Sequence, residues 1–179
     1  MFSTFSDIAS LVGIATSIVA ITGLVIELRN SRLSLQTQTL LDLEARFYSP
    51  EMKTLRQTAA RQLLAASPIN SELEDTLDFF HNIVMLIDRR VIDTELGLEF
   101  YKYWIARYWL VAESYVASVR KQDDPHTYKK LEKLALAIIQ QSPEINYSPE
   151  AMKIFLIKEA GLRTHELFKQ TAGQTNGNN

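Results

Sequence analysis

The nineteen residues from Ile8 to Ile26 contain no charged side chain. A helix rises about 1.5 Å per residue, so this run would extend roughly 28 Å, close to the thickness of the hydrocarbon core of a bilayer. Its few polar side chains are Ser and Thr, whose hydroxyls can bond to a carbonyl one turn earlier. The run therefore predicts a single transmembrane helix, assigned to residues 8–28.

Two other kinds of segment can be this apolar. A cleaved signal peptide has a positively charged leader and a shorter apolar stretch, whereas residues 1–7 contain no Lys or Arg. A buried helix of a globular core usually carries a polar stripe, and this run is apolar on nearly every face. The length and the flanking residues favour the transmembrane helix over both alternatives.

Lys and Arg are distributed unevenly around the apolar run. None precedes it, whereas Arg29, Arg32 and Arg46 follow it. The positive-inside rule then predicts that residues 1–7 lie outside and that the remainder of the chain lies in the cytoplasm. The absence of cysteine agrees with a reducing compartment. The lipid bilayer is thus the first predicted partner.

Small residues recur at four-residue steps inside the run, at Ala9, Gly13 and Ser17. This spacing lets two transmembrane helices approach closely, so these residues form a predicted helix-packing face and indicate a possible homo-oligomer. Residues 29–48 contain no Pro or Gly and are predicted to continue the helix as a juxtamembrane stalk. A short coiled coil is the alternative, although only about two heptads are present.

The remaining residues predict a helical domain at 49–170, followed by a disordered tail at 171–179. Ser49, Asp93 and Ser148 each precede an acidic first turn, as helix N-caps do. The full chain has 19 basic and 21 acidic residues, which argues against a nucleic-acid partner. The fold class is therefore all-α, with one transmembrane helix continuing into a cytoplasmic bundle of about five helices. The predicted helices are 7–47, 50–66, 71–90, 94–121, 125–141 and 149–169.

The helix at 94–121 carries the densest group of aromatic residues. Phe100, Trp104 and Tyr108 fall on one line of this helix, and Tyr101 and Trp109 fall on a neighbouring one. Most such rings belong to a core, but these point around so much of the helix that one or two are expected on the surface. Trp104→Ala is expected to cost about 3–5 kcal/mol if that ring is fully buried. The predicted partner surface comprises Arg89, Arg90, Asp93, Trp104, Tyr108 and Trp109.

No catalytic constellation is visible. The chain has no Cys nucleophile, no G-x-S-x-G, no H-E-x-x-H and no glycine-rich phosphate loop. Glu74, Asp78 and His81 share one helix face, but a single helix offers too few ligands for a metal. We therefore predict no enzyme activity, no catalytic residue, no metal and no cofactor. The alternative, an enzyme, would require an active-site pocket built from side chains on several helices.

The run from Phe79 onward resembles the bacterial family DUF4760, a domain of unknown function. The resemblance covers most of residues 10–140 and implies a helical protein, usually membrane-anchored, without an established activity. It places the chain in the inner, cytoplasmic membrane of a bacterium. Two positions depart from the family pattern: Val91 stands where a Gly is frequent, and His81 where an acidic residue is commoner. The matching elements are Ser49-Pro50-Glu51, Phe79-Phe80, Ile87-Asp88-Arg89-Arg90, Ile92-Asp93-Thr94-Glu95-Leu96, Tyr108-Trp109 and Arg120.

Two classes of function follow from these patterns. The first is a membrane-tethered, non-enzymatic interaction or regulatory module that recruits a protein partner at the cytoplasmic face. The second is a small membrane effector, of the stress or phage-defence type, whose transmembrane helix oligomerises. The small-residue face favours the effector, whereas the lack of a polar stripe for a pore counts against it.

Overall fold

The computed structural model describes residues 2–65 and 71–162, with side chains from residue 20 onward. Within these residues the chain forms six helices and no strand, which confirms the all-α prediction. Two of the predicted ends, at residues 47 and 141, coincide with the observed ones. The helices are α1 (Phe2–Phe47), α2 (Pro50–Ala65), α3 (Ser71–Asp88), α4 (Thr94–Gln122), α5 (Lys129–Gln141) and α6 (Pro149–Glu159).

The chain divides into two units, Met1–Leu41 and Asp42–Asn179. The first unit consists of the greater part of α1. Among the residues whose side chains are described, no helix is both long enough and apolar enough to cross a membrane. Residues 8–19 of the predicted transmembrane segment lie outside those residues, as do the side chains of the predicted packing face, Ala9, Gly13 and Ser17.

The second unit is a bundle in which α3 packs against α2, α4 and α5, and α6 packs against α2 and α4. Aromatic rings fill the centre: Phe80 lies 5.5 Å from Phe79, 5.1 Å from Tyr108 and 6.1 Å from Phe47, between ring centroids. Edge-on and tilted pairs at these separations add to the stability that burial of the rings provides.

The left-handed residue in the turn between α3 and α4 is not Val91, the position at which the family pattern often has a Gly. Arg90, not Val91, takes the left-handed conformation, with φ 56°. The N–H of Arg90 donates to the Ile87 carbonyl at 2.9 Å, and the N–H of Val91 donates to the Leu86 carbonyl at 2.9 Å. This pair of bonds is the usual closure of a helix C-terminus. A Gly at position 91 is therefore not needed for the turn.

Three predicted helix boundaries differ by four residues or more from the observed ones: α1 begins at Phe2 and not at residue 7, and α5 and α6 are shorter than predicted. We predicted that α5 begins at residue 125, but it begins at Lys129, because Tyr128 has φ 58° and interrupts the helical geometry. Residues 124–127 instead form a turn in which Asp124 accepts the N–H of His126 at 2.8 Å. We predicted that α6 runs to 169, but it ends at Glu159, just ahead of a left-handed Gly161 with φ 68°. The region beyond residue 162 lies outside the described residues.

Candidate functional site

A buried polar network joins α2, α4 and α6. Arg56 Nη1 lies 3.1 Å from Glu159 Oε2, and the Tyr108 hydroxyl donates to the same oxygen at 2.7 Å. The guanidinium carbon of Arg56 also lies 4.0 Å from the centroid of the Phe47 ring. Burial raises the pKa of Glu159, against the opposing effects of Arg56 and Tyr108. With the two ion-pair side chains only 9% and 11% exposed, this network is part of the interior and holds three helices together.

The predicted partner surface is wrong at two positions. Tyr108 and Trp109 are buried, because α4 is covered by α3, α5 and α6 and its buried arc includes both residues. Trp104 is half-buried. The loss of about 3–5 kcal/mol in stability for Trp104→Ala was expected only for a fully buried ring, so it does not apply to this position.

The other three residues of the predicted partner surface lie at the turn before α4 and are exposed: Arg89, Arg90 and Asp93. Asp93 also has a structural role there, since its carboxylate accepts the N–H of Leu96 at 3.1 Å as the N-cap of α4. Arg90 closes α3 through its backbone, and Arg89 follows the last residue of that helix. These residues lie at one end of α4 and do not continue an aromatic surface.

A row of exposed apolar side chains does run along α4. Leu96, Phe100 and Tyr103, which we call the α4 stripe, are 45%, 43% and 38% exposed. Their spacing of i, i+4 and i+7 places them on one face of the helix. From the sequence we named Phe100 in a group of rings that were expected mostly in the core, with one or two on the surface, and we did not single out Leu96 or Tyr103. The signal that could have found them is that spacing of i, i+4 and i+7 along α4.

A groove of about 430 Å³ lies beside the α4 stripe. It is formed by Glu95, Leu98, Glu99 and Lys102 of α4 together with residues at the end of α5, namely Ile138, Gln141 and Ser142. Charged side chains therefore lie along one side of the apolar row. Interaction surfaces commonly combine an apolar centre with a polar rim in this way.

Arg107 lies one helical turn beyond the α4 stripe. Its guanidinium carbon is 3.6 Å from the centroid of the Tyr103 ring and 5.8 Å from that of Phe155. Nε and Nη1 of Arg107 are buried and have no hydrogen-bond partner among the described residues, and the same is true of the Tyr147 hydroxyl. Burial lowers the pKa of Arg107, with Tyr147 opposing the shift. The stripe thus ends in a cation that no described carboxylate neutralises.

A second concave region, a cleft of about 630 Å³, lies between α3 and the turn that joins α4 to α5. Its walls include the predicted face of Glu74, Asp78 and His81, together with His126 and Tyr128. The Tyr128 hydroxyl donates to Asp78 at 2.7 Å, and burial lowers the pKa of His81 against the opposing charge of Asp78. No group of three or more His, Cys, Asp or Glu side chains suited to a metal occurs in the described part of the chain.

The sequence model of one family, described as Domain of unknown function (DUF4760), matches residues 8–138. No curated protein and no solved structure matches the chain significantly. The matched region includes α2, α3 and α4 in full and reaches into α5, so it contains the α4 stripe and Arg107. The match extends over more than half of the sequence and agrees with the resemblance seen at Phe79-Phe80 and Tyr108-Trp109. The chain belongs to the DUF4760 family.

Proposed function

We propose that this chain is a membrane-tethered, non-enzymatic interaction module that recruits a protein partner at the cytoplasmic face of the membrane. The observation that carries the proposal is the α4 stripe, three large apolar side chains exposed in one row on a helix that is otherwise well packed. Isolated exposed apolar residues are ordinary, but an aligned row beside a groove is typical of a surface that binds another protein.

The stripe suits a helical or extended segment of a partner. Apolar anchors at i, i+4 and i+7 are the pattern by which one helix packs against another. Tyr103 and Arg107 at its end are of the residue types that most often dominate binding energy at interfaces. Glu99 and Lys102 beside the stripe are exposed and would form part of a polar rim. The partner's contact residues are therefore expected to be mainly apolar, with polar flanks.

The tether in this proposal rests on the uncharged run Ile8–Ile26 and on the arginines that follow it. Bacterial membranes that contain the full chain should retain it through an alkaline carbonate wash. The paired substitution Ile14→Arg and Ile18→Arg should release it, because each charge at the centre of a transmembrane helix opposes insertion by about 2.5–3.5 kcal/mol on insertion scales. Retention of the doubly charged variant would contradict the tether, and so would release of the wild-type chain.

The docking surface is tested by co-purification of the full chain from its native membranes in detergent. Leu96→Ser with Phe100→Ser should reduce the recovery of the partner at least tenfold, since anchor side chains at interfaces typically contribute 2 kcal/mol or more each. The fold should be nearly unaffected, because exposed substitutions usually change stability by about 0.5 kcal/mol or less. Far-UV circular dichroism of the purified variant checks this second expectation.

Leu136→Ser is the matched control, because Leu136 is 50% exposed and lies on α5, outside the stripe. It should leave recovery of the partner unchanged. Equal recovery with the wild-type chain and the Leu96→Ser, Phe100→Ser variant would contradict the proposed function. So would recovery of the chain with no other protein, as a self-association that depends on Gly13. That second result would favour the oligomerising effector.

A further inference from the structure

A narrow groove lies between α3 and α5, and none of its lining residues belongs to the α4 stripe. It is lined by the buried side chains of Val84 and Ile87 on α3 and by the half-buried Leu134 and Ala137 on α5. Its volume is about 260 Å³. Pockets that hold a whole small molecule usually measure about 300–1,000 Å³. The groove therefore has room for part of a ligand, and its aliphatic lining suits a hydrocarbon chain.

Exposed basic side chains border this groove. Lys130 and Lys133 of α5 line it, and Arg89 directly follows Asp88, the one carboxylate among the described residues that line it. Lys130 Nζ lies 2.6 Å from Asp88 Oδ2, with the two side chains 51% and 54% exposed. Lys130 lowers the pKa of Asp88 most, and the charges of Lys133 and Arg89 lower it further. Three cations thus act on a single carboxylate, so the edge of the groove keeps an excess of positive charge that solvent and ligands can reach.

We propose that this groove binds an anionic phospholipid of the membrane, with its phosphate at Lys130 and Lys133 and the first part of one acyl chain between α3 and α5. An apolar interior with a cationic edge is complementary to both parts of such a lipid, and clusters of Lys and Arg close to a membrane commonly bind anionic headgroups. The inference rests on the tether in the proposed function, because a tethered body meets lipid headgroups at a high effective concentration. It assigns to the body a second contact with the bilayer, separate from the binding of a protein on the α4 stripe.

The residue types at the groove favour a lipid over an acidic segment of a protein. Binding energy at protein interfaces comes mostly from Trp, Tyr and Arg anchors, whereas the apolar lining described here is aliphatic. The two cations in the lining are lysines, whose ammonium groups act as compact point charges and bind phosphate readily. A carboxylate is more often held by the planar fork of an arginine.

The test uses the full chain in a neutral detergent, with native mass spectrometry to measure the binding of added lipid. The probe is dioleoyl phosphatidylglycerol, and the reference is dioleoyl phosphatidylcholine, which has the same chains and no net charge. The wild-type chain should bind phosphatidylglycerol about tenfold more tightly than phosphatidylcholine. Lys130→Gln with Lys133→Gln should remove most of this preference, because each lysine near an anionic lipid contributes about fivefold.

Lys153→Gln with Lys158→Gln is the matched control, because it removes the same charge from exposed positions on α6, outside the groove. It should leave the preference for phosphatidylglycerol unchanged. Far-UV circular dichroism checks that both pairs of substitutions keep the fold, as expected at exposed positions.

Asp88→Asn should strengthen the binding of phosphatidylglycerol, by up to about fivefold, since it releases Lys130 from an exposed ion pair. A hundredfold excess of glycerophosphoglycerol, the deacylated headgroup, should not displace the lipid, because it lacks the acyl chain that the groove would hold. Inorganic phosphate and hexaglutamate should not displace it either.

Several results would overturn the lipid site: equal affinity for the two lipids, equal losses for the two pairs of lysine substitutions, or weaker binding after Asp88→Asn. Displacement by the deacylated headgroup or by phosphate would assign the groove to a soluble anion, and displacement by hexaglutamate would assign it to an acidic protein segment. Each of these results leaves the tether and the α4 stripe standing. Release of the wild-type chain by carbonate, with its preference for phosphatidylglycerol intact, would contradict the tether and leave the lipid site standing.

Discussion

Glu159→Gln should destabilise the helical body by about 3–5 kcal/mol, the usual effect of removing one partner of a buried ion pair. The substitution keeps an oxygen that can accept the hydroxyl of Tyr108 but removes the charge that compensates Arg56. Arg56 is nearly buried against Phe47 and Trp104, so its guanidinium cannot reach water without disturbing those rings. Denaturant unfolding of the full chain in detergent, followed by far-UV circular dichroism, measures the change.

An exposed ion pair provides the matched control. Asp88 and Lys130 are joined at 2.6 Å, with side chains 54% and 51% exposed. Asp88→Asn should cost about 1 kcal/mol or less, because solvent screens such pairs. Equal losses for Asp88→Asn and Glu159→Gln would contradict the assignment of Glu159 to the interior.

Replacing all three members of the buried network, Arg56, Tyr108 and Glu159, with apolar residues should reduce stability less than replacing Glu159 alone. Burial raises the pKa of Glu159, which shows that its charged form is held at a desolvation cost. A triple variant, Arg56→Met with Tyr108→Phe and Glu159→Leu, leaves no buried polar group unpaired. Its stability should be near that of the wild-type chain or above it, as found when apolar side chains replace buried ion pairs. A triple variant less stable than Glu159→Gln would contradict this interpretation.

Phe80→Ala should cost about 3–5 kcal/mol, the range for removing a fully buried aromatic ring. Phe80 is 0% exposed and contacts the rings of Phe79 and Tyr108. The surrounding helices cannot close the cavity fully, because protein interiors are close-packed and relax only in part.

Phe100→Ala is the matched control for Phe80→Ala, since it removes the same side chain from an exposed position on α4. It should cost no more than about 1 kcal/mol, because little apolar area returns to water. Comparable losses at the two positions would mean that the α4 stripe is buried and is not a docking surface. A small loss at Phe80 would contradict the described core.

Local sequence signals predicted the helices well. Capping residues identify several helix starts: Asp93 and Ser148 each bond to the backbone N–H three residues on. Helix ends were harder to predict, because they depend on single left-handed residues. Tyr128 and Arg90 adopt positive φ although neither residue type prefers it. That conformation leaves no signature in the residue types themselves, and at Arg90 it accompanies the local closure of α3.

The exposure of the α4 stripe was predicted only in part. The excess of aromatics on α4 correctly indicated that some rings lie outside the core, but periodicity does not determine which side of a helix its neighbours cover. Three neighbouring helices buried Tyr108 and Trp109 and left Phe100 and Tyr103 exposed.

We propose that the α4 stripe binds another protein at the membrane. Site-specific photo-crosslinking in living cells would detect this contact, with p-benzoylphenylalanine in place of Phe100 and, separately, in place of Leu136. We expect a discrete adduct between position 100 and a different protein in the membrane fraction, with none from position 136. No adduct at position 100, the same adducts at both positions, or an adduct only with a second copy of the chain would contradict it.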